Sequence, residues 1–155
     1  MQRLVKQIHK LLLKKAKTVA VAESCTGGLV CNLLTQSPGS SQYFILGVVA
    51  YSNKTKRVIL KIPRQVIAKK GAVSRIVAKL MAKSVRLIAK TDFGLGITGI
   101  AGPGGSSKEK PVGTVFIAVD SKKRVLCKKF IFRGSRLNIR KMAALKSLEL
   151  LKKIL

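Results

Sequence analysis

Short apolar runs alternate with amphipathic helices along this chain, which predicts an α/β fold. The expected architecture is a three-layer α/β/α sandwich around a mixed, mostly parallel sheet. Three observations carry that reading. Helical spacing of apolar residues recurs at both ends and in the middle. Strand-length runs of Val, Ile and Ala lie between these helices. Glycine-rich stretches stand where strands would end. At 155 residues and 47% hydrophobic content, the chain suits one domain, residues 1–155, with a sizeable core.

Residues 2–17 put Leu4, Val5, Ile8, Leu11 and Leu12 on one helical face. Residues 18–22 read as a short buried strand, and the polar turn Glu23-Ser-Cys-Thr-Gly-Gly28 feeds a helix at 29–35. Residues 37–41, Ser-Pro-Gly-Ser-Ser, form a loop. Residues 43–52 are expected as a second buried strand, followed by a helical turn with Lys54 and Lys56. Pro63 opens a short segment ending at Lys70 and Gly71. Ser74 then caps a helix over 74–90, whose apolar face is read as Ile76, Val77, Leu80, Met81, Val85 and Ile88. Residues 93–100 make a third strand despite their glycines and lead into a glycine-rich loop at 102–107. Strands at 112–119 and 124–132 pair across a turn at 120–123, and a helix over 135–154 closes the chain.

Composition narrows the chemistry. Lys and Arg number 32 against 5 Asp and Glu, a net charge of +27. With only Glu23, Asp92, Glu109, Asp120 and Glu149, no carboxylate metal cage is expected, and no metal or cofactor is called for. His9 is the single histidine, so mechanisms needing two are excluded. Cys25, Cys31 and Cys127 are odd in number and irregularly spaced, which predicts neither a disulfide framework nor a zinc site and suggests a reducing cytoplasm. No run approaches the roughly 20 apolar residues of a membrane span. Leu11-Leu12-Leu13 is cut short by Lys14 and Lys15, leaving no signal-peptide core. The basic residues occur in every segment, and aromatic residues are only 5%, so no platform for stacking bases is visible. The charge reads first as solvated surface and next as attraction for small anionic substrates; nucleic acid is left open. Oligomeric state is not legible, and a homo-oligomer stays among the options.

Two glycine-rich loops follow predicted strands, where open α/β sheets bind ligands. In the first, Ser24 stands at a strand-to-helix turn with the amides of Cys25, Thr26, Gly27 and Gly28 nearby to face negative charge. The same serine also reads as a helix cap. Cys25 reads either as a thiol nucleophile or as a small core residue. The second loop, Thr98-Gly-Ile-Ala-Gly-Pro-Gly-Gly105, matches neither a P-loop nor a dinucleotide fingerprint. A serine nucleophile without histidine needs another base, and a lysine kept neutral by desolvation or by neighbouring cations is the usual substitute. Lys54, Lys56 and Arg57 crowd together, and Tyr51 stands a few residues earlier as a proton relay.

Taken together, six ordered motifs resemble the CinA C-terminal domain family of nicotinamide-nucleotide amidohydrolases. They are Ala22-Glu-Ser-Cys-Thr-Gly-Gly28, Pro38-Gly-Ser-Ser41, Tyr51-Ser-Asn53 with Lys56, Gly71-Ala-Val-Ser74, Thr98-Gly-Ile-Ala-Gly-Pro103 and Lys110-Pro-Val-Gly-Thr114. The resemblance covers roughly residues 5–150 and implies the same sandwich fold. It implies hydrolysis of the carboxamide of nicotinamide mononucleotide, an anionic nucleotide, to nicotinic acid mononucleotide and ammonia. By the same resemblance Ser24 is the nucleophile, with Tyr51 and Lys56 as relay and base. Thr26, Gly27, Gly28, Thr98 and Gly99 then contact substrate, and Arg136 and Arg140 sit at its phosphate-binding end. The chain departs from the family pattern at Lys70, where histidine is common, and at Lys54, a second amine beside Lys56. Many relatives carry a further N-terminal domain, whereas this sequence starts at the hydrolase-like helix as a stand-alone form.

Overall fold

The computed structural model describes residues 2–155. Five strands form one mixed sheet: β1 (Val19–Glu23), β2 (Phe44–Val49), β3 (Phe93–Gly99), β4 (Thr114–Ser121) and β5 (Val125–Ile131), in the order β2-β1-β3-β4-β5. β1 runs parallel to β2 and β3, while β4 is antiparallel to both β3 and β5. Six helices accompany them: α1 (Gln2–Lys14), α2 (Leu29–Leu34), α3 (Asn53–Val58), α4 (Arg64–Lys70), α5 (Arg75–Ala89) and α6 (Arg136–Ile154). Ser74 caps its helix as expected and Ser52 and Ser135 do the same for theirs, whereas Ser24 caps none. Ser52, Ser74 and Ser135 accept the backbone N–H of Thr55, Val77 and Asn138, satisfying amides that a helix start leaves orphaned.

The sheet has two cores, one per face, as alternating strand side chains require. On one face Val19, Val21, Leu95, Ile97, Val115 and Ile117 pack under Ile8 and Leu12 of α1, α2, and Ile139 and Leu148 of α6. On the other, Ala20 and Ala22 meet Leu60, Ile62, Ile67, Val77, Met81 and Val85. The three-layer sandwich and its mixed sheet therefore match the expectation.

Three local expectations are corrected. β2 is an edge strand, so Ile45 and Val49 are exposed and the strand is not buried on both faces. The buried face of α5 is Val77, Ala78, Met81, Ala82 and Val85, leaving Ile76 and Ile88 exposed. The reason lies in β3. A Cβ on Gly94 would fall 2.1 Å from the Ala82 carbonyl oxygen, and one on Gly96 would fall 2.3 Å from that of Ala78. Helix backbone rests directly on strand backbone, with Ala78 and Ala82 at the points of closest approach. Asp120, read as the start of a turn, belongs to β4, where it accepts from Arg86 Nε at 2.6 Å and fastens α5 to the sheet.

Either Gly94→Ala or Gly96→Ala forces backbones apart. We expect each to lower stability by about 3 kcal/mol, the upper range of core overpacking. Urea unfolding should show a lower midpoint at an unchanged slope.

Candidate active site

Successive residues of a strand point to opposite faces, and the end of β1 exploits this. The side chain of Glu23 turns toward α2 and that of Ser24 toward α3. Glu23 is fully buried; its Oε2 accepts the Gly28 N–H at 2.9 Å and its Oε1 the Cys31 N–H at 2.8 Å. A carboxylate five residues upstream thus caps α2. The chain between turns through left-handed conformations at Gly27 (φ 59°) and Gly28 (φ 95°), which glycine adopts without steric cost.

On the other face Ser24 Oγ accepts a hydrogen bond from Lys56 Nζ at 2.9 Å. Nζ also donates to the carbonyl oxygens of Ala50 at 2.8 Å and Tyr51 at 3.2 Å. The Lys56 residue is 2% exposed, and among the described residues no carboxylate pairs with it. Burial lowers its pKa below the ordinary lysine value, against a small opposing influence of the adjacent Cys25 thiol. In the neutral amine, two N–H bonds can stay on the two carbonyls while the lone pair faces Ser24. That geometry suits a general base.

A cavity of 280 Å³ opens over this pair. Ala72 and Val73 form one wall, Thr98 to Ala101 the floor, and Gly102, Gly104 and Gly105 the far rim. Arg136 closes the mouth: Nη1 donates to the Gly102 carbonyl at 2.5 Å and Nη2 to the Tyr51 hydroxyl at 2.7 Å. Both acceptors are neutral, so the guanidinium keeps its charge for a ligand. Among the described residues no acidic side chain lines the cavity.

A family model for the CinA C-terminal domain matches residues 1–155. The chain belongs to the CinA C-terminal domain family. A CinA-like protein of Desulfotalea psychrophila is 47% identical over 148 residues, which cover 96% of this chain and 36% of that relative. One from Geobacter metallireducens is 45% identical over 146 residues, covering 94% of this chain and 35% of the relative. The chain thus spans little more than a third of the length of these relatives. A solved competence/damage inducible protein of Agrobacterium tumefaciens superposes with a TM-score of 0.95 at 36% identity, covering 98% of this chain and 93% of that one. A CinA superfamily protein of Escherichia coli superposes with a TM-score of 0.95 at 28% identity, covering 99% and 90%.

Against this CinA fold, the expected site residues divide. Ser24, Tyr51, Lys56, Thr98, Gly99 and Arg136 all line the one cavity. Lys54 is exposed and does not line it, so Lys56 is the amine that reaches Ser24. Its lowered pKa comes from burial, not from crowding by Lys54 and Arg57. The Tyr51 hydroxyl bonds Arg136, and it is the Tyr51 carbonyl that meets Lys56. Thr26, Gly27, Gly28 and Arg140 do not line the cavity. The Gly27 N–H is taken by the Ser24 carbonyl at 3.1 Å and the Gly28 N–H by Glu23, so neither amide is free for substrate. Arg140 donates to the Thr26 carbonyl at 2.9 Å under Gly27. Among the described residues, the Cys25 and Thr26 amides donate to no backbone carbonyl and no side-chain oxygen. The Cys25 thiol is pushed up to about 12 by burial, which keeps it protonated and unsuited to nucleophilic attack. Asn53 and Glu23 were not singled out by sequence. Asn53 lines the cavity, and a hint for Glu23 lay in its place before a turn of small polar residues. No described helix is long and apolar enough to cross a membrane.

Two outcomes follow. Glu23→Ala leaves two amides at the α2 start without their acceptor and should cost about 3 kcal/mol, read from the urea midpoint. Lys56→Met tests the buried amine. The folded state binds the Lys56 proton less tightly than the unfolded state does, so charging it opposes folding below the folded pKa. That penalty fades as pH rises toward the unfolded value of about 10.4. The stability of the wild type relative to Lys56→Met should therefore rise between pH 7 and 10.

Proposed function

We propose that this protein is an amidohydrolase that converts nicotinamide mononucleotide and water to nicotinic acid mononucleotide and ammonia. The observation that carries the reading is the buried Lys56 amine, 2.9 Å from Ser24 Oγ and without a carboxylate partner. Membership of the CinA family and the acid-free cavity with Arg136 at its mouth support it.

In this mechanism neutral Lys56 takes the Ser24 proton as Oγ attacks the carboxamide carbon. The carbonyl oxygen becomes an oxyanion, and the Cys25 amide, next after the nucleophile, is assigned as its donor. The Lys56 ammonium then protonates the leaving nitrogen, the C–N bond breaks and ammonia departs. What stays behind is an ester on Ser24 Oγ. Lys56, neutral again, deprotonates a water that attacks this ester. The C–Oγ bond breaks, Ser24 regains its proton and the acid leaves as its carboxylate. Arg136 holds the substrate phosphate through its planar N–H fork, exchanging neutral acceptors for an anion. Tyr51 orients that guanidinium and supplies a carbonyl to Lys56.

Ammonia release from nicotinamide mononucleotide is the test. Ser24→Ala should lose activity by roughly 1000-fold or more while staying folded. In the wild type, kcat/KM should rise with pH through a group below the ordinary lysine value, and Lys56→Met should abolish that activity. Arg136→Ala should raise KM with a smaller change in kcat, and Tyr51→Phe should keep kcat within about tenfold. Equal release by wild type and Ser24→Ala would overturn the assignment of the nucleophile. A large kcat loss in Tyr51→Phe would return the tyrosine to the proton path.

A further inference from the structure

The end of the sheet opposite Ser24 carries a second concavity, of 550 Å³, a size typical of small-molecule sites. It forms where the chain entering β1, the start of β3 and the β4–β5 turn meet the end of α6. Five cations surround it: Lys15, Lys17, Lys122, Lys123 and Arg124. The carboxylate among its lining residues, Asp92, is already engaged by Lys17 Nζ at 2.8 Å, the Thr18 N–H at 3.0 Å and the Thr18 hydroxyl at 3.1 Å. Lys15 bonds the backbone oxygen of Leu155. Among the described residues, the side chains of Lys122, Lys123 and Arg124 have neither an ion pair nor a hydrogen bond. Phe93 and Ile154 add an apolar wall to this cationic rim.

Like charges gathered around a recess repel one another, and an anion with several charges relieves that repulsion. A single phosphate satisfies only part of this rim, and a bare polyanion leaves the apolar wall unused. We propose that the recess binds a nucleoside triphosphate, with the polyphosphate among Lys15, Lys122, Lys123 and Arg124 and the base against Phe93 and Ile154. The site is distinct from the Ser24 cavity. The five residues of β1 separate the two ends by about 16 Å at ~3.3 Å per residue.

Calorimetric titration of adenosine triphosphate into the intact protein at low salt tests this. The variant Lys122→Glu/Lys123→Glu/Arg124→Glu changes three exposed turn positions. A control variant, Arg3→Glu/Lys6→Glu/Lys10→Glu, makes the same change of net charge on the exposed side of α1. The wild type should bind one equivalent, and the turn variant should bind roughly 100-fold more weakly, the loss of two or three charge-assisted contacts. The control variant and Arg136→Ala should bind within about threefold of wild type, and inorganic tripolyphosphate about tenfold more weakly than adenosine triphosphate. Absence of saturable binding overturns the proposal. So does equal weakening in both triple variants, which indicates diffuse surface charge, or loss in Arg136→Ala, which places the ligand in the Ser24 cavity. Tripolyphosphate binding as tightly as the nucleotide removes the base from the site.

Discussion

A primary amine, buried and without a counter-ion, is the constraint that organises this molecule. Removing an amine from water without a carboxylate is costly unless its N–H groups find acceptors. Lys56 finds three oxygens, from Ala50, Tyr51 and Ser24, and that choice fixes much of the surrounding chain. The two carbonyls belong to the residues leaving β2, so the strand must end there and α3 must start at once under its Ser52 cap. Ser24 must sit at the end of β1, held on the far side by Glu23 and its grip on α2. A carboxylate below the sheet and an amine above it share one pair of consecutive residues. Neither arrangement works without the other, because the alternation of a strand sends the two side chains to opposite layers.

Much of this was legible in the sequence. Helical periodicity and strand runs located the five strands and the longer helices, leaving α4 as an unassigned short segment. It was the family resemblance rather than spacing that paired Ser24 with Lys56, while Lys54 stayed a competitor. What was hidden depends on neighbours that local pattern does not encode. β2 reads as buried because its residues are apolar, yet strand order leaves it at an edge. Ile76 and Ile88 look like the core face of α5 until Gly94 and Gly96 are seen to lie against Ala82 and Ala78. The amides of Gly27 and Gly28 look free for substrate until Glu23 and the Ser24 carbonyl are seen to occupy them. Tyr51 was placed near Lys56 correctly as a residue, but its hydroxyl and its carbonyl face different partners, a distinction no spacing rule supplies.

The placement of the five acidic residues explains the electrostatics better than the count of basic ones. Glu23 is consumed by amides, Asp92 joins the segments entering β1 and β3, Asp120 binds α5 to β4, and Glu149 pairs with Lys146 along α6. The fifth, Glu109, lies exposed in the loop before β4. Among the described residues none borders the Ser24 cavity, where Arg136 supplies the fixed positive charge and Lys56 a buried amine of lowered pKa. The preference for anions that the proposed function requires needs no local accumulation of lysine. It follows from where carboxylates were spent on architecture.

The contact of α5 with β3 has a further consequence for the cavity. With helix backbone seated on Gly94 and Gly96, and with the Ala72 carbonyl tied to the Thr98 hydroxyl at 2.9 Å, the wall formed by Ala72 and Val73 is continuous with the sheet. Sliding it would break the Thr98 hydrogen bond and the close helix–strand contact together. The opposite rim, in residues 102–113, lacks regular structure and is held at three points, where Gly102 accepts from Arg136, the Gly113 N–H donates to the Ile100 carbonyl and Lys110 Nζ donates to the Lys70 carbonyl. A pocket with one side so fastened changes size at the other. A change in the length of this loop would therefore alter the far end of the cavity, away from the Ser24–Lys56 pair.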